Sequence, residues 1–278
     1  MKKGIAPYED RGEQLGISRS GWGWDSRLAD FDNDGVLEAV QATGFVKGRW
    51  NRWPELHEVA MGNDQLLSNP NSWHQFSIGD DLGGHEPNPF FVRAADGRFY
   101  DIGDLVGTGQ PQVTRAIATA DVDSDGDLDF VVGNQWDDSR FYRNNAPSPG
   151  QFLGLRLLLA LERGARSTAI HPGRPELEVP VRPAIGATVH ITLDDGRKLI
   201  GLVDGGNGHS GVRSPEVHLG LGDVSAELEV MVTVKWRDTA GNYQRQQMKL
   251  TPGWHTVLLG DSPSEEQLSS SEHTHSVP

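Results

Sequence analysis

Apolar positions along this chain are gathered into short runs, each bounded by Gly, Asp, Asn or Pro. In the first half, Leu37-Glu38-Ala39-Val40 and Leu128-Asp129-Phe130-Val131-Val132 each follow an aspartate-dense stretch. Their length is that of a buried strand of a few residues. In the second half, residues 187–193, 198–203, 216–221, 228–236, 243–250 and 255–259 are short and partly alternating, the spacing of an antiparallel sandwich. The run 152–161 is apolar almost throughout, so periodicity alone leaves it open between strand and helix. Residues 163–183, rich in Pro and Arg, read as a long loop.

Between the halves lies Asn144-Asn145-Ala146-Pro147-Ser148-Pro149-Gly150, a turn-rich stretch that marks a domain boundary. The expected organisation is a first unit over 1–147, a second over 148–260, and a disordered Ser-, Glu- and His-rich tail over 261–278.

Two acidic segments obey one pattern, D-x-D-x-D-G-x-L-[D/E]. The first is Asp30-Phe31-Asp32-Asn33-Asp34-Gly35-Val36-Leu37-Glu38, and the second is Asp121-Val122-Asp123-Ser124-Asp125-Gly126-Asp127-Leu128-Asp129. A calcium ion takes six to eight hard oxygens, and alternate carboxylates at positions 1, 3 and 5 of a tight loop supply them. Glycine at position 6 permits the sharp turn. Position 7, Val36 or Asp127, offers a backbone carbonyl, and position 9, Glu38 or Asp129, closes the shell. Without a cation, the carboxylates of each loop repel one another. The expected ligand sets are therefore Asp30, Asp32, Asp34, Val36 and Glu38, and Asp121, Asp123, Asp125, Asp127 and Asp129, with one Ca2+ each. Glu38 is the weakest of them, one methylene longer than its counterpart Asp129. Neither loop is an EF-hand: position 12 is Gln41 or Val132, where a bidentate glutamate belongs, and the exits read as strands.

Composition narrows the partners. A formal net charge of −14 argues against nucleic acid, because phosphate repels such a surface. With no cysteine in the chain, disulfides, thiolate metal sites and cysteine nucleophiles are excluded. No apolar run approaches the roughly 18 residues of a membrane span. No apolar stretch follows Met1-Lys2-Lys3, so no export signal is visible, and a cytoplasmic location stays open.

The loop pattern followed by a hydrophobic strand resembles the FG-GAP or VCBS repeat, which builds blades of integrin-type β-propellers. The second half resembles the ASPIC/UnbV domain through Ala184-Ile185-Gly186-Ala187, Gly208-His209-Ser210-Gly211-Val212-Arg213-Ser214, His218-Leu219-Gly220-Leu221-Gly222 and Val232-Thr233-Val234-Lys235-Trp236. The combination is similar to cartilage acidic protein-like bacterial proteins and to UnbV-type proteins of enediyne biosynthesis clusters. The resemblance implies an all-β fold, a partial β-propeller followed by a β-sandwich-like domain, with calcium binding and an extracellular or cell-envelope location. It carries over no catalytic residue. The loops start 91 residues apart, at 30 and 121, more than one blade, so an intervening degenerate blade is expected with Asn63–Asn69 as its remnant. A propeller needs about four blades, and two or three leave the assembly open, to be completed by further N-terminal blades or another subunit.

Other chemistry is thin. Gly208-His209-Ser210-Gly211 fails the nucleophile-elbow pattern, since the fifth residue is Val212. A polar loop of His209, Ser210, Arg213 and Ser214 is the plainer reading. Six of the eight tryptophans lie before residue 145; they suit a carbohydrate or peptide platform, but packing is preferred. The balance leans against an enzyme. The leading expectation is a calcium-binding interaction module for a protein, small-molecule or glycan ligand, and the competing one is an accessory or catalytic protein of natural-product biosynthesis.

Overall fold

The computed structural model describes residues 8–18, 20–61, 68–146, 150–162, 164, 166–206, 209 and 214–260. Strands make up 42% and helices 8%, which places the protein in the all-β class. A single turn of helix, α1 (Gly12–Leu15), precedes the first strand. β1 (Gly23–Ala29) and β2 (Glu38–Thr43) then form an antiparallel hairpin around the first acidic loop.

The chain leaves this sheet at residue 44. It forms β3 (Trp50–Asn51), α2 (Trp53–Met61) and β4 (Asp80–Asp81), with β3 and β4 paired in parallel. It then returns to add β5 (Phe90–Arg93) and β6 (Phe99–Asp101), giving the order β1-β2-β5-β6. A short helix α3 (Gly103–Val106) leads to a second sheet of β7 (Thr114–Ala120), β8 (Asp129–Asn134) and β9 (Arg140–Tyr142). This corrects the expected spacing. The loops are far apart because an excursion, which carries the two-stranded β3-β4 sheet, interrupts the first sheet between its second and third strands. Of the anticipated remnant, residues 63–67 lie outside the described residues.

The two sheets share one core. Ala29, Phe31, Val40, Ala42 and Phe90 of the first meet Ile117, Leu128, Phe130 and Val132 of the second. A charged pair is sealed into the same seam. Arg27, 1% exposed, lies 3.1 Å from Asp25 and donates to the Ile117 carbonyl, while Asp25 accepts from the Ile117 amide. Burying such a pair is tolerable only because backbone groups satisfy the remaining valences.

Beyond residue 150 a sandwich begins. One sheet runs β11 (Ala169–Pro172), β18 (Gly253–Leu259), β10 (Gln151–Ala160), β12 (Val181–Pro183), with β15 (Val217–Gly222) also paired to β10. The other runs β14 (Lys198–Leu202), β13 (Thr188–Thr192), β16 (Val230–Arg237), β17 (Tyr243–Leu250). The core between them gathers Leu153, Leu155, Leu157, Val189, Val232, Val234, Trp236 and Val257, among others. Each such side chain contributes about 1.5–3 kcal/mol by leaving water.

Two expectations are corrected here. The sandwich is not purely antiparallel, since β10 and β18 pair in parallel over Leu153–Leu159. A strand central to a sheet and covered on both faces loses its alternation, which is why residues 152–161 read ambiguously. Residues 163–183 are not wholly loop, because β11 and β12 form edge pairings within them. Prolines 172 and 183 sit at strand ends, where proline's missing donor costs little. The 147/148 boundary and the 261–278 tail fall on residues outside those described.

Candidate metal centre

Each acidic loop closes a hairpin, and strand pairing brings its ends together. Ala29 pairs with Glu38 and Ala120 with Asp129, so position 9 opens the second strand directly beside the residue preceding position 1. Between them the chain turns through two left-handed residues, Asn33 (φ 62°) and Gly35 (φ 88°), matched by Ser124 (φ 63°) and Gly126 (φ 98°). Position 6 is therefore glycine for a conformational reason, as its pattern predicted.

The carboxylates repeat the same bonds. Oδ2 of the first aspartate accepts the glycine amide, at 2.9 Å for Asp30 and 3.1 Å for Asp121. The ninth residue accepts the amide of the second, Glu38 from Phe31 at 2.8 Å and Asp129 from Val122 at 3.0 Å. Glu38 thus does the work of Asp129 despite its extra methylene. One oxygen from each of Asp30, Asp32 and Glu38 lies within 4.8 Å of the others, and so does one from each of Asp121, Asp123 and Asp129. The remaining oxygen of the first aspartate, Oδ1 in both Asp30 and Asp121, is buried with no hydrogen-bond donor. A buried oxygen left in that state costs about 1–3 kcal/mol unless something else satisfies it.

Position 5 also serves the turn itself. Asp34 accepts the Val36 amide at 2.6 Å and Asp125 the Asp127 amide at 3.0 Å, so one oxygen of each caps the turn. The converging set is positions 1, 3 and 9. The Asp127 side chain instead takes the Asn33 amide group at 3.0 Å, and Asn33 also donates to the Gly126 carbonyl. This direct link between the loops had no sequence signal, because it joins residues 94 apart.

Burial and mutual repulsion are visible in the titration behaviour. Burial, followed by the neighbouring carboxylates, pushes Asp30 and Asp127 up to about 6. Glu38 rises to about 8 for the same first reason, and Asp32 is raised by burial and by Asp34. These are the shifts of anions gathered without a counter-charge.

The sandwich grips both loops. Trp254 donates its indole N–H to Asp121 Oδ2 at 2.7 Å, and Arg174 stacks 3.5 Å over that ring while donating to the Asp121 carbonyl. His218, between Phe152 and Trp254, bonds the Gly126 carbonyl at 2.9 Å. On the first loop, the Gly222 amide donates to the Asn33 carbonyl and Arg197 to the Asp34 carbonyl. Gly220 packs so closely that a Cβ there would stand 2.6 Å from the Asn33 backbone. The glycines of His218-Leu219-Gly220-Leu221-Gly222 therefore serve loop contact. None of these partners was identifiable in advance as a site residue.

Of the polar loop, residues 208 and 210–213 lie outside the described residues; His209 packs 4.7 Å from the Trp24 ring.

Comparison with known proteins agrees with the order of parts. The FG-GAP repeat model matches residues 113–150, from just before β7 through the second loop, β8 and β9 to the start of β10. The ASPIC and UnbV model matches residues 179–266. No curated protein matches the chain. The protein thus combines an FG-GAP repeat with an ASPIC/UnbV domain and is a β-repeat protein. The first loop lies outside both matched stretches. Among the described residues no helix is long and apolar enough to cross a membrane.

Proposed function

We propose that each acidic loop binds one calcium ion and that the two ions fasten the paired sheets to the sandwich, making the protein a calcium-stabilised binding module. The observation that carries this reading is the repeated orphan. In both loops Oδ1 of the first aspartate is buried without a donor, beside two further carboxylates. Hard oxygens in that arrangement suit Ca2+, whereas Mg2+ keeps more of its water. Asp30, Asp32 and Glu38 would hold one ion and Asp121, Asp123 and Asp129 the other. Asp34 and Asp125, and the carbonyls of Val36 and Asp127, remain as additional donors. The bound charge would cancel repulsion that the folded chain otherwise carries. Recognition of a protein, glycan or small molecule then falls to surfaces the ions hold in place. Calcium at millimolar level favours a location outside the cytosol.

Melting curves test this. With calcium at a hundredfold excess over its dissociation constant, two sites contribute about 5 kcal/mol. Chelation should therefore lower the melting temperature by roughly 10 °C or more, and magnesium should restore little of it. Superimposable curves with calcium and with EDTA would overturn the assignment.

A further inference from the structure

A cavity of about 610 Å³ opens between α2 and the first sheet, away from the acidic loops. Its size is that of a small-molecule site. Trp22 and Trp53 form two of its walls, their ring centroids 6.0 Å apart and their planes at 66°. Phe45 stacks on Trp22 at 4.5 Å, and His57, one helical turn after Trp53, stacks on that ring.

An adjoining hollow of about 310 Å³ shares Gly21, Trp53 and His57 with the first and adds Glu86. Gly83 shows how closely these groups meet. A Cβ built there would lie 3.5 Å from Glu86 Cγ, 3.6 Å from Trp53 Cε3 and 3.7 Å from Trp22 Cβ. The side chains of Trp22, Trp53 and Glu86 thus approach one another around Gly83.

The carboxylate is uncommitted. Glu86 is half-buried, and among the described residues its side chain accepts no hydrogen bond. Burial and the charge of Asp81 raise its pKa, against the opposing influence of His57. Of the other titratable groups along the cavities, Asp101 accepts the Phe90 and Gly103 amides through one oxygen, Arg27 pairs with Asp25, and His57 stacks on Trp53. A metal ion would gain the carboxylate but nothing from the rings. A neutral apolar molecule would gain the rings but leave the carboxylate unpaired. Only an organic cation uses both, since indole faces attract cations and a partly dehydrated carboxylate strengthens the attraction.

We propose that this cavity binds an organic ammonium ion with an apolar body, seated between Trp22 and Trp53 with its charge on Glu86.

Titration calorimetry on the calcium-loaded protein, with choline and its uncharged isostere 3,3-dimethylbutan-1-ol, separates the contributions. Choline should bind at least about tenfold more tightly than the isostere. Glu86→Gln should remove that preference without shifting the melting temperature, and Trp53→Ala should abolish binding of both. Equal affinity for the two probes, or no heat from choline up to about 50 mM, would overturn the proposal. So would an unchanged preference in Glu86→Gln, a variant that keeps the shape of the cavity should Trp53→Ala fail to fold. Because no loop residue is touched, failure here leaves the calcium reading intact, and loss of the calcium-dependent melting shift leaves this one intact.

Discussion

In the second acidic loop Arg143 lies 2.5 Å from Asp123, and Arg174 lies 3.7 Å from Asp121, next to the Trp254 indole that bonds the same oxygen. In the first loop, among the described residues, no lysine or arginine comes within salt-bridge distance of Asp30, Asp32 or Glu38. The backbone path is common to both, and so is the pattern of capped and orphaned oxygens. What differs is the charge that surrounds them. Where arginines stand by, the carboxylates have partners before any ion arrives. In the first loop Arg197 reaches only the Asp34 carbonyl, and burial and repulsion drive Glu38 up to about 8 and Asp30 to about 6, whereas in the second the carboxyl pushed up, to about 6, is that of Asp127. On the proposed calcium reading the first loop depends on its ion more than the second does, although the family match covers only the second.

The largest test removes the first carboxylate of each loop in turn, Asp30→Asn and Asp121→Asn. With calcium present, both variants should lose roughly 2–3 kcal/mol, the contribution of one site. In EDTA they should part. Asp30→Asn takes away a buried charge with no cationic partner and should leave stability unchanged or raised. Asp121→Asn takes from Arg174 one of its two carboxylates, leaving Glu216 at 3.4 Å, and from the Trp254 indole its anionic acceptor, and should cost about 1–3 kcal/mol. Denaturant midpoints read both, and equal behaviour in EDTA would show that the arginines are not what separates the loops.

Acidity gives a smaller effect of definite sign. In the ion-free protein the folded state holds protons on Glu38 and Asp30 that the unfolded chain has already released. Stability must then be greatest below about pH 4 to 5 for these groups and fall as pH rises toward 8. The melting temperature in EDTA should drop across that window. Calcium should flatten the dependence, because the ion takes the protons' place. His218 bends the curve the other way at low pH. Burial holds it down at about 4, so its contribution is complete above pH 6.5 and is lost as pH falls toward 4. A pH-independent melt in EDTA would show that the loop carboxylates are already compensated.

How much of this was legible depends on distance along the chain. The loops could be read because every element of them, the alternating carboxylates, the position-6 glycine and the following strand, falls within nine residues. The later strands could be read for the same local reason: β16 buries Val230, Val232, Val234 and Trp236 and leaves the residues between them exposed or half-buried. The grip of Trp254 on Asp121 spans 133 residues, and that of Arg197 on Asp34 spans 163. Neither leaves a mark in composition or period. The turn-capping bonds at position 5 have a local cause of their own. A short Asp side chain in a turn prefers the amide two residues ahead, and Asp34 and Asp125 follow that preference.

The smallest effect asks whether Arg143 guards its loop or supports it. Its guanidinium is half exposed, with Asp123 at 2.5 Å and Asp125 at 3.9 Å, so the pair contributes no more than about 1 kcal/mol to folding. Yet an ion entering the loop must share Asp123 with that positive charge or displace it. Arg143→Gln should therefore lower the melting temperature in EDTA by a degree or two at most, and raise calcium affinity at the second loop about two- to fivefold. The first loop has no counterpart to release, and its affinity should not move. Calorimetric titration resolves the two sites if they differ as the charges require. Should Arg143→Gln weaken calcium binding instead, the arginine would be shaping the loop rather than competing for it, and the contrast between the loops would then rest on Arg174 and Trp254 alone.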